Sequence, residues 1–436
     1  MRIIAALTLL TLQTCPAQEY WNLENCIDYA LTNNISLKQN ELNIQLTENK
    51  KLQSKFQILP SINAGSSFNQ NQGRYIDPFS NTFIEDISSN FRVSSTISLN
   101  IFNGFKNLNQ IKKSSNEYLK SIYDLESAKN ELISSIAMSY LQILFNEELC
   151  LTANKQLSLS KLQKERISTL HDAGSIAKGD LLNIQSQIAS EEQLLVQNEN
   201  QLALSKLQLA QLLDIEDFQK LNILKIDLEV PDVILKDNVN DDFFKAANLQ
   251  ASIKSSELSI KNAKYDLKIA RASLLPNLNV SYTASSLYSE NVAEMFTFNQ
   301  QIENNRQSGI YLTMNIPIFN QLTSRTTIAQ SKIQINNSQL QAQQSLNQLR
   351  KNMEQAYADQ LAAYKRHISA QKALTARKES FNYASQRHEL GMVNSYVFNE
   401  SKNNLIKSES DELQAKYDLI FKVKLYEFYT SLKFEL

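Results

Sequence analysis

The sequence predicts a mainly α chain with a transmembrane β part, built as a duplicated repeat of a helix, two strands and a pair of long helices. Three observations predict it. Punctuation is scarce, with only 7 Gly and 6 Pro in 436 residues, so most of the chain must lie in very long elements. The sequence matches itself at a nearly constant offset of about 216 residues. Four segments alternate apolar and polar residues over lengths that suit tilted membrane strands.

The elements follow in order. Arg2, the apolar stretch Ile3 to Leu12 and Cys15-Pro16-Ala17 read as a signal peptide over 1–17, cleaved before Gln18; the bland alternative is a buried N-terminal strand. That stretch is too short to span a bilayer as a helix, and no other run approaches its length, which excludes a protein built of membrane-spanning helices. Leu12-Gln13-Thr14-Cys15 leaves lipidation of Cys15 open, because Leu suits a lipobox and Thr suits it poorly. Cys26 and Cys150 lie far apart in helical context, without the spacing of a stapled scaffold. Lys plus Arg (44) nearly cancels Asp plus Glu (45), and the lack of a basic patch argues against a nucleic-acid partner.

The first repeat covers 18–228. Its opening helix runs from Leu23 to Leu59, where Pro60 stops it. Strands follow at about 61–70 and 91–103, then long helices at about 104–171 and 177–213. An inter-repeat segment spans 214–241. The second repeat, 241–436, reads the same way: a helix to Leu275 before Pro276, strands at 277–288 and 308–318, and helices at 320–388 and 395–432. Leu59-Pro60-Ser61-Ile62-Asn63 pairs with Leu275-Pro276-Asn277-Leu278-Asn279, Ile101-Phe102-Asn103 with Ile318-Phe319-Asn320, and His171-Asp172-Ala173-Gly174 with His388-Glu389-Leu390-Gly391. Each longer helix, at 1.5 Å per residue, measures about 100 Å, deeper than any globular core. Ile111, Tyr118, Leu125 and Leu132 recur every seven residues, as do Ile328, Ile335, Ala342 and Leu349. Sevens sustained this long mean supercoiled packing against neighbouring helices.

The strands carry the membrane reading. Val93, Ile97, Leu99 and Ile101 alternate with Ser94, Thr96, Ser98 and Asn100; Leu312 and Met314 alternate with Thr313 and Asn315. An ordinary sheet would pack its apolar face on a core, but the flanking helices are committed to their own seam. The apolar set is therefore expected to face lipid and the polar set water. Segments 70–90 and 289–307, rich in Asn, Ser and charge, are expected outside the cell. Four strands cannot close a barrel, and open edges leave backbone groups unpaired in lipid, so the chain must oligomerise. Two copies give a lumen filled by side chains; three leave room for water.

The chain resembles the TolC family of outer membrane efflux proteins. The resemblance is carried by Trp21-Asn22-Leu23-Glu24-Asn25-Cys26-Ile27-Asp28-Tyr29-Ala30-Leu31, the Leu-Pro pairs, Ile101-Phe102-Asn103-Gly104, the turns at Gly174 and Gly391, and Ala415-Lys416-Tyr417-Asp418-Leu419-Ile420. It implies a homotrimer with a 12-stranded β-barrel in outer-membrane lipid, continued by a periplasmic α-helical barrel and a mixed equatorial region. It also implies a passive exit channel that works with a periplasmic adaptor and an inner-membrane efflux transporter, without catalysis or cofactor. In the family the turns Gly174-Ser175 and Gly391-Met392 would form the tip that meets the adaptor. Acids six and nine residues past each Gly would narrow the entrance; here those positions hold Asp180 and Val397, then Asn183 and Glu400. Glu400 and Asp180 are thus the gate candidates, weighed against ordinary surface acids. His171 and His388 read as solvated residues suited to a helix C-terminus. An enzyme is disfavoured: no HExxH, phosphate loop or GxSxG occurs, and His367 is isolated. The remaining alternative is a periplasmic coiled-coil scaffold or adaptor without a barrel.

Overall fold

The computed structural model describes residues 20–76, 81–226, 228–231 and 239–434. The expected signal peptide and Cys15 lie outside the described residues, as do 77–80 of the first outer segment and 232–238 of the inter-repeat segment. The elements run β1 (Tyr20–Trp21), α1 (Leu23–Asn33), α2 (Ile35–Phe56), β2 (Ser61–Ile76), β3 (Phe83–Phe102), α3 (Lys106–Asp172), α4 (Lys178–Leu212), β4 (Asn222–Ile223), α5 (Asn240–Leu249), α6 (Ala251–Ala272), β5 (Asn277–Ser289), α7 (Phe298–Asn304), β6 (Gln307–Asn315), α8 (Thr323–Glu389) and α9 (Ser395–Ser431). Helices α3 and α8 are both 67 residues long, and α2 and α6 both 22. No helix among the described residues is long and apolar enough to cross a membrane.

The chain divides into two compact units. Among the described residues, one comprises those within 20–40, 125–251 and 346–434, the other those within 41–124 and 252–345. In the first unit, Cys26, Ala30, Ile136, Ala137, Tyr140, Ile143, Leu209 and Leu213 form a closed core. The Tyr140 hydroxyl donates to the Leu224 carbonyl at 2.7 Å, next to the parallel pair of β1 and β4. Burial pushes the Cys26 thiol up to about 12, so it behaves as a small apolar side chain. Cys26 and Cys150 are both free.

The opening helix of each repeat differs from expectation, because it is broken. Asn34 leaves the helical region at ψ 126°, and Gln250 does the same at ψ 120°. Asn34 then caps α2: its Oδ1 accepts from the Ser36 and Leu37 N–H groups at 3.0 and 3.2 Å. The Ile35 N–H donates to Asp214 Oδ2 at 3.0 Å. Asp214 itself sits at φ 57°, just past α4, so one left-handed residue ends one helix and starts another.

In the second unit, the sheet order is β2-β3-β5-β6, antiparallel throughout. The first hairpin is taller than expected: pairing continues to Ile76 opposite Phe83, so most of the expected outer segment is strand. The last strand is shorter than expected, ending at Asn315 before Pro317, whose ring removes a ladder donor. The strand-to-helix joints repeat an unusual backbone. Gly104 and Phe105 have φ of 66° and 64°, and Gln321 and Leu322 have 55° and 64°. Gly104 is also sterically required, since a Cβ there would lie 2.9 Å from the Ala272 carbonyl oxygen.

Candidate functional site

Two regions carry the candidate function, the helix tips and the two faces of the sheet. Each tip closes by the same hydrogen-bond pattern. The Ser175 N–H reaches the Leu170 carbonyl and the Gly174 N–H the His171 carbonyl, both at 2.8 Å. In the second repeat, Met392 reaches Arg387 at 2.8 Å and Gly391 reaches His388 at 3.0 Å. Gly174 and Gly391 stand at φ 72° and 71°, the left-handed conformation that this double closure needs. The tips start their second helices differently. Asn394 caps α9 by accepting from Val397 N–H at 3.1 Å, whereas Ala177 offers α4 no side-chain cap. Asp180, half-buried in the first turn of α4, suits the positive end of that helix.

Glu400 is exposed on α9 and lines two open grooves. One, of about 660 Å³, includes Gln187 and Glu191 of α4 and Asn403 of α9. The other, of about 380 Å³, includes Arg377, Tyr383 and Arg387 of α8. Asp180 lines neither of these grooves. Sequence reasoning missed Lys402, which lies 6% exposed with its Nζ donating to Ser160 Oγ at 2.8 Å. Burial holds its amine below the ordinary lysine value, and Glu191 opposes that shift. No motif signals it; its neighbours on α9 are polar. The tip histidines are less solvated than expected. His388 stacks on Phe398 at 4.8 Å and its Nδ1 is 3.2 Å from the Val393 carbonyl, while His171 Nδ1 lies 3.5 Å from Asp172.

The strand register sorts the sheet into two faces. Ile62, Ile97, Tyr282 and Ile310 stand opposite one another across all four strands, and Leu99, Val280 and Leu312 form the next row. Ile62, Ile310, Leu312 and Met314 are 61–76% exposed, so the described chain leaves this apolar face open. The opposite face is polar and bonded across strands. Ser61 meets Ser98 at 2.8 Å, Thr96 meets Thr283 at 3.2 Å, and Asn100 Nδ2 donates to Asn277 Oδ1 at 2.7 Å. Val93, Ile97, Leu312 and Met314 therefore share one face, and Ser94, Thr96, Thr313 and Asn315 the other. Phe68, Phe91 and Tyr288 form an aromatic row at one end of the apolar face. There α7 folds over it: Phe298 packs on Tyr288 at 5.1 Å, and buried Gln301 accepts the Ser289 N–H at 2.9 Å. Strands β2 and β6 are the sheet edges, each pairing on one side only within the described residues.

No curated protein matches the chain in sequence. The chain does match solved structures. It superimposes on the outer membrane channel CmeC of Campylobacter jejuni with a TM-score of 0.81 at 15% identity, covering 94% of this chain and 85% of that one. The outer membrane protein VceC of Vibrio cholerae gives 0.78 at 14% identity, over 94% and 95% of the two chains. The open state of the outer membrane channel MtrE of Neisseria gonorrhoeae gives 0.74 at 16% identity, over 94% and 88%. At such identities the likeness establishes the fold. The family pattern of the outer membrane efflux proteins matches residues 26–214 and 245–422. With most of the chain inside that match, on a fold whose two-faced sheet leaves both edges open, the protein belongs to the outer membrane efflux protein family and is an efflux exit channel of the outer membrane.

Proposed function

We propose that three copies of the chain close a 12-stranded barrel whose apolar face meets lipid and whose polar face lines a water-filled exit. The observation that carries this is the four-stranded sheet with two unpaired edges and an exposed apolar row. Open edges do not persist in hydrocarbon, because each unsatisfied backbone group costs several kcal/mol. Joining β6 of one copy to β2 of the next removes every edge. The strand from Phe91 to Phe102 rises about 3.3 Å per residue, and at the usual tilt this fits the roughly 25 Å apolar band of such barrels. A periplasmic adaptor and an inner-membrane transporter supply cargo and energy, and the channel itself catalyses nothing. The turns Gly174-Ser175 and Gly391-Met392 are the adaptor contact; exposed Leu390, Met392 and Tyr396 give that end an apolar surface. Mass measurement of the detergent-purified protein tests the assembly: a trimer is expected, and a stable monomer overturns it.

The gate reading rests on Glu400. Three Glu400 carboxylates brought close around an axis repel one another and draw cations. Glu400→Gln is expected to weaken cation preference and divalent block in planar bilayers, and Asp180→Asn to do less. Unchanged selectivity in Glu400→Gln makes Glu400 an ordinary surface acid.

A further inference from the structure

The strands of this sheet are almost devoid of charge. Between Ser61 and Gly73 of β2, and along the whole of β5 and β6, no residue is ionisable to a full charge at neutral pH. From Phe91 to Phe102 of β3 there is one, Arg92. The register places it on the polar face, opposite Ser67 on one side and Leu287 on the other, next to the aromatic row of Phe68, Phe91 and Tyr288. Its side chain is exposed. A lone guanidinium on a face otherwise made of Ser, Thr, Asn, Gln, Gly, Tyr and Leu has no packing reason to be there. On a water-filled face it costs little; on the lipid face it would be destabilising, the more so the nearer it lay to the bilayer midplane.

We propose that Arg92 sets the ion preference of the barrel, as a ring of three cations just inside its outer mouth that concentrates anionic solutes and retards cationic ones. This rests on the barrel reading above. Twelve strands about 4.8 Å apart and tilted about 40° close at a backbone radius of about 12 Å. An inward arginine then carries its charge to within about one Debye length of the axis at 0.1 M salt, where that length is about 10 Å. Between Phe91 and Phe102 the rest of the lining is neutral; the acidic residues of β3, Glu85 and Asp86, stand beyond Asn90, where Glu85 faces Arg74. The field of the ring reaches the whole cross-section at low salt and is confined to the wall at 1 M, where the Debye length is about 3 Å.

The test uses the assembled channel in planar bilayers, in a Glu400→Gln background so that the candidate Glu400 ring is absent from every channel compared. Reversal potentials are taken in potassium chloride gradients centred near 0.1 M and near 1 M. Arg92→Gln is expected to lower the chloride-to-potassium permeability ratio by about twofold at the lower salt. Arg92→Glu should reverse the preference, Arg92→Lys should keep it, and all four channels should converge at the higher salt. In parallel, Thr96→Cys and Arg92→Cys are exposed to a membrane-impermeant thiol reagent. Labelling of both with unchanged reversal potentials in Arg92→Gln and Arg92→Glu overturns the arginine ring and leaves the barrel intact. Failure of both cysteines to label means that this face does not line water, and overturns the barrel reading together with the ring.

Discussion

Lys402 is buried beside a single hydroxyl, Ser160, in helix-packed surroundings. Burial lowers its affinity for a proton in the folded protein. The unfolded chain therefore binds more protons between that lowered value and the ordinary 10.5, and stability rises with pH across that interval. Denaturant unfolding at pH 7 and at pH 10 should show this rise. Lys402→Met, which keeps the stem and removes the charge, should flatten it and be at least as stable at pH 7. A flat profile in the parent protein would show that the amine is effectively solvated. At Gly104 the effect is steric. Gly104→Ala combines positive φ with a Cβ placed against the Ala272 carbonyl, and should lose about 1–3 kcal/mol in the same measurement. Neither residue has a counterpart of the same type one repeat away: Gln321 stands where Gly104 does, and carries the same left-handed backbone with a side chain.

Among the elements, the strands make the strongest demand. Val93→Lys and Leu312→Lys place a charge on the face read as lipid-exposed, and should cost roughly 2–4 kcal/mol near the bilayer midplane. The same lysine at Ser94 or Thr313 should be nearly neutral. Refolding yield into lipid vesicles measures both, and equal losses on the two faces would remove the alternation. The period-two alternation was readable directly, because each strand carries different chemistry on its two sides and the register keeps the sides aligned. The long helices were equally legible, since Gly174 and Gly391 end them by a backbone need that leaves a residue-level mark. The breaks at Asn34 and Gln250 were not. At Asn34 the break is held by a distant partner, Asp214, meeting the N–H of Ile35; local propensity continues helical through both. The height of the first hairpin was hidden for the opposite reason. Its outer residues are Asn, Gln and Ser with few apolar positions, so composition reads as loop while backbone pairing makes strand. At the site, Glu400 and Asp180 are candidates through the family resemblance, and their unlike surroundings, and Lys402, depend on packing between helices far apart in sequence.

For the whole molecule, the two hairpins of the sheet are of unequal height. Pairing of β2 with β3 continues to Ile76 opposite Phe83, whereas β3 stops pairing with β5 at Asn90 opposite Ser289, and β5 with β6 stops at Ser285 opposite Gln307. Beyond Asn90 the first hairpin continues without a third paired strand among the described residues, with Ser88 and Ser89 still buried and Arg74 facing Glu85 across it. In a closed ring of three copies, tall and low hairpins alternate around the mouth. The rim is then crenellated, three merlons separated by three gaps floored by the loops around α7. A flat object pressed on the outside of the cell would rest on the merlons without sealing the exit, and cargo would still leave sideways through the gaps.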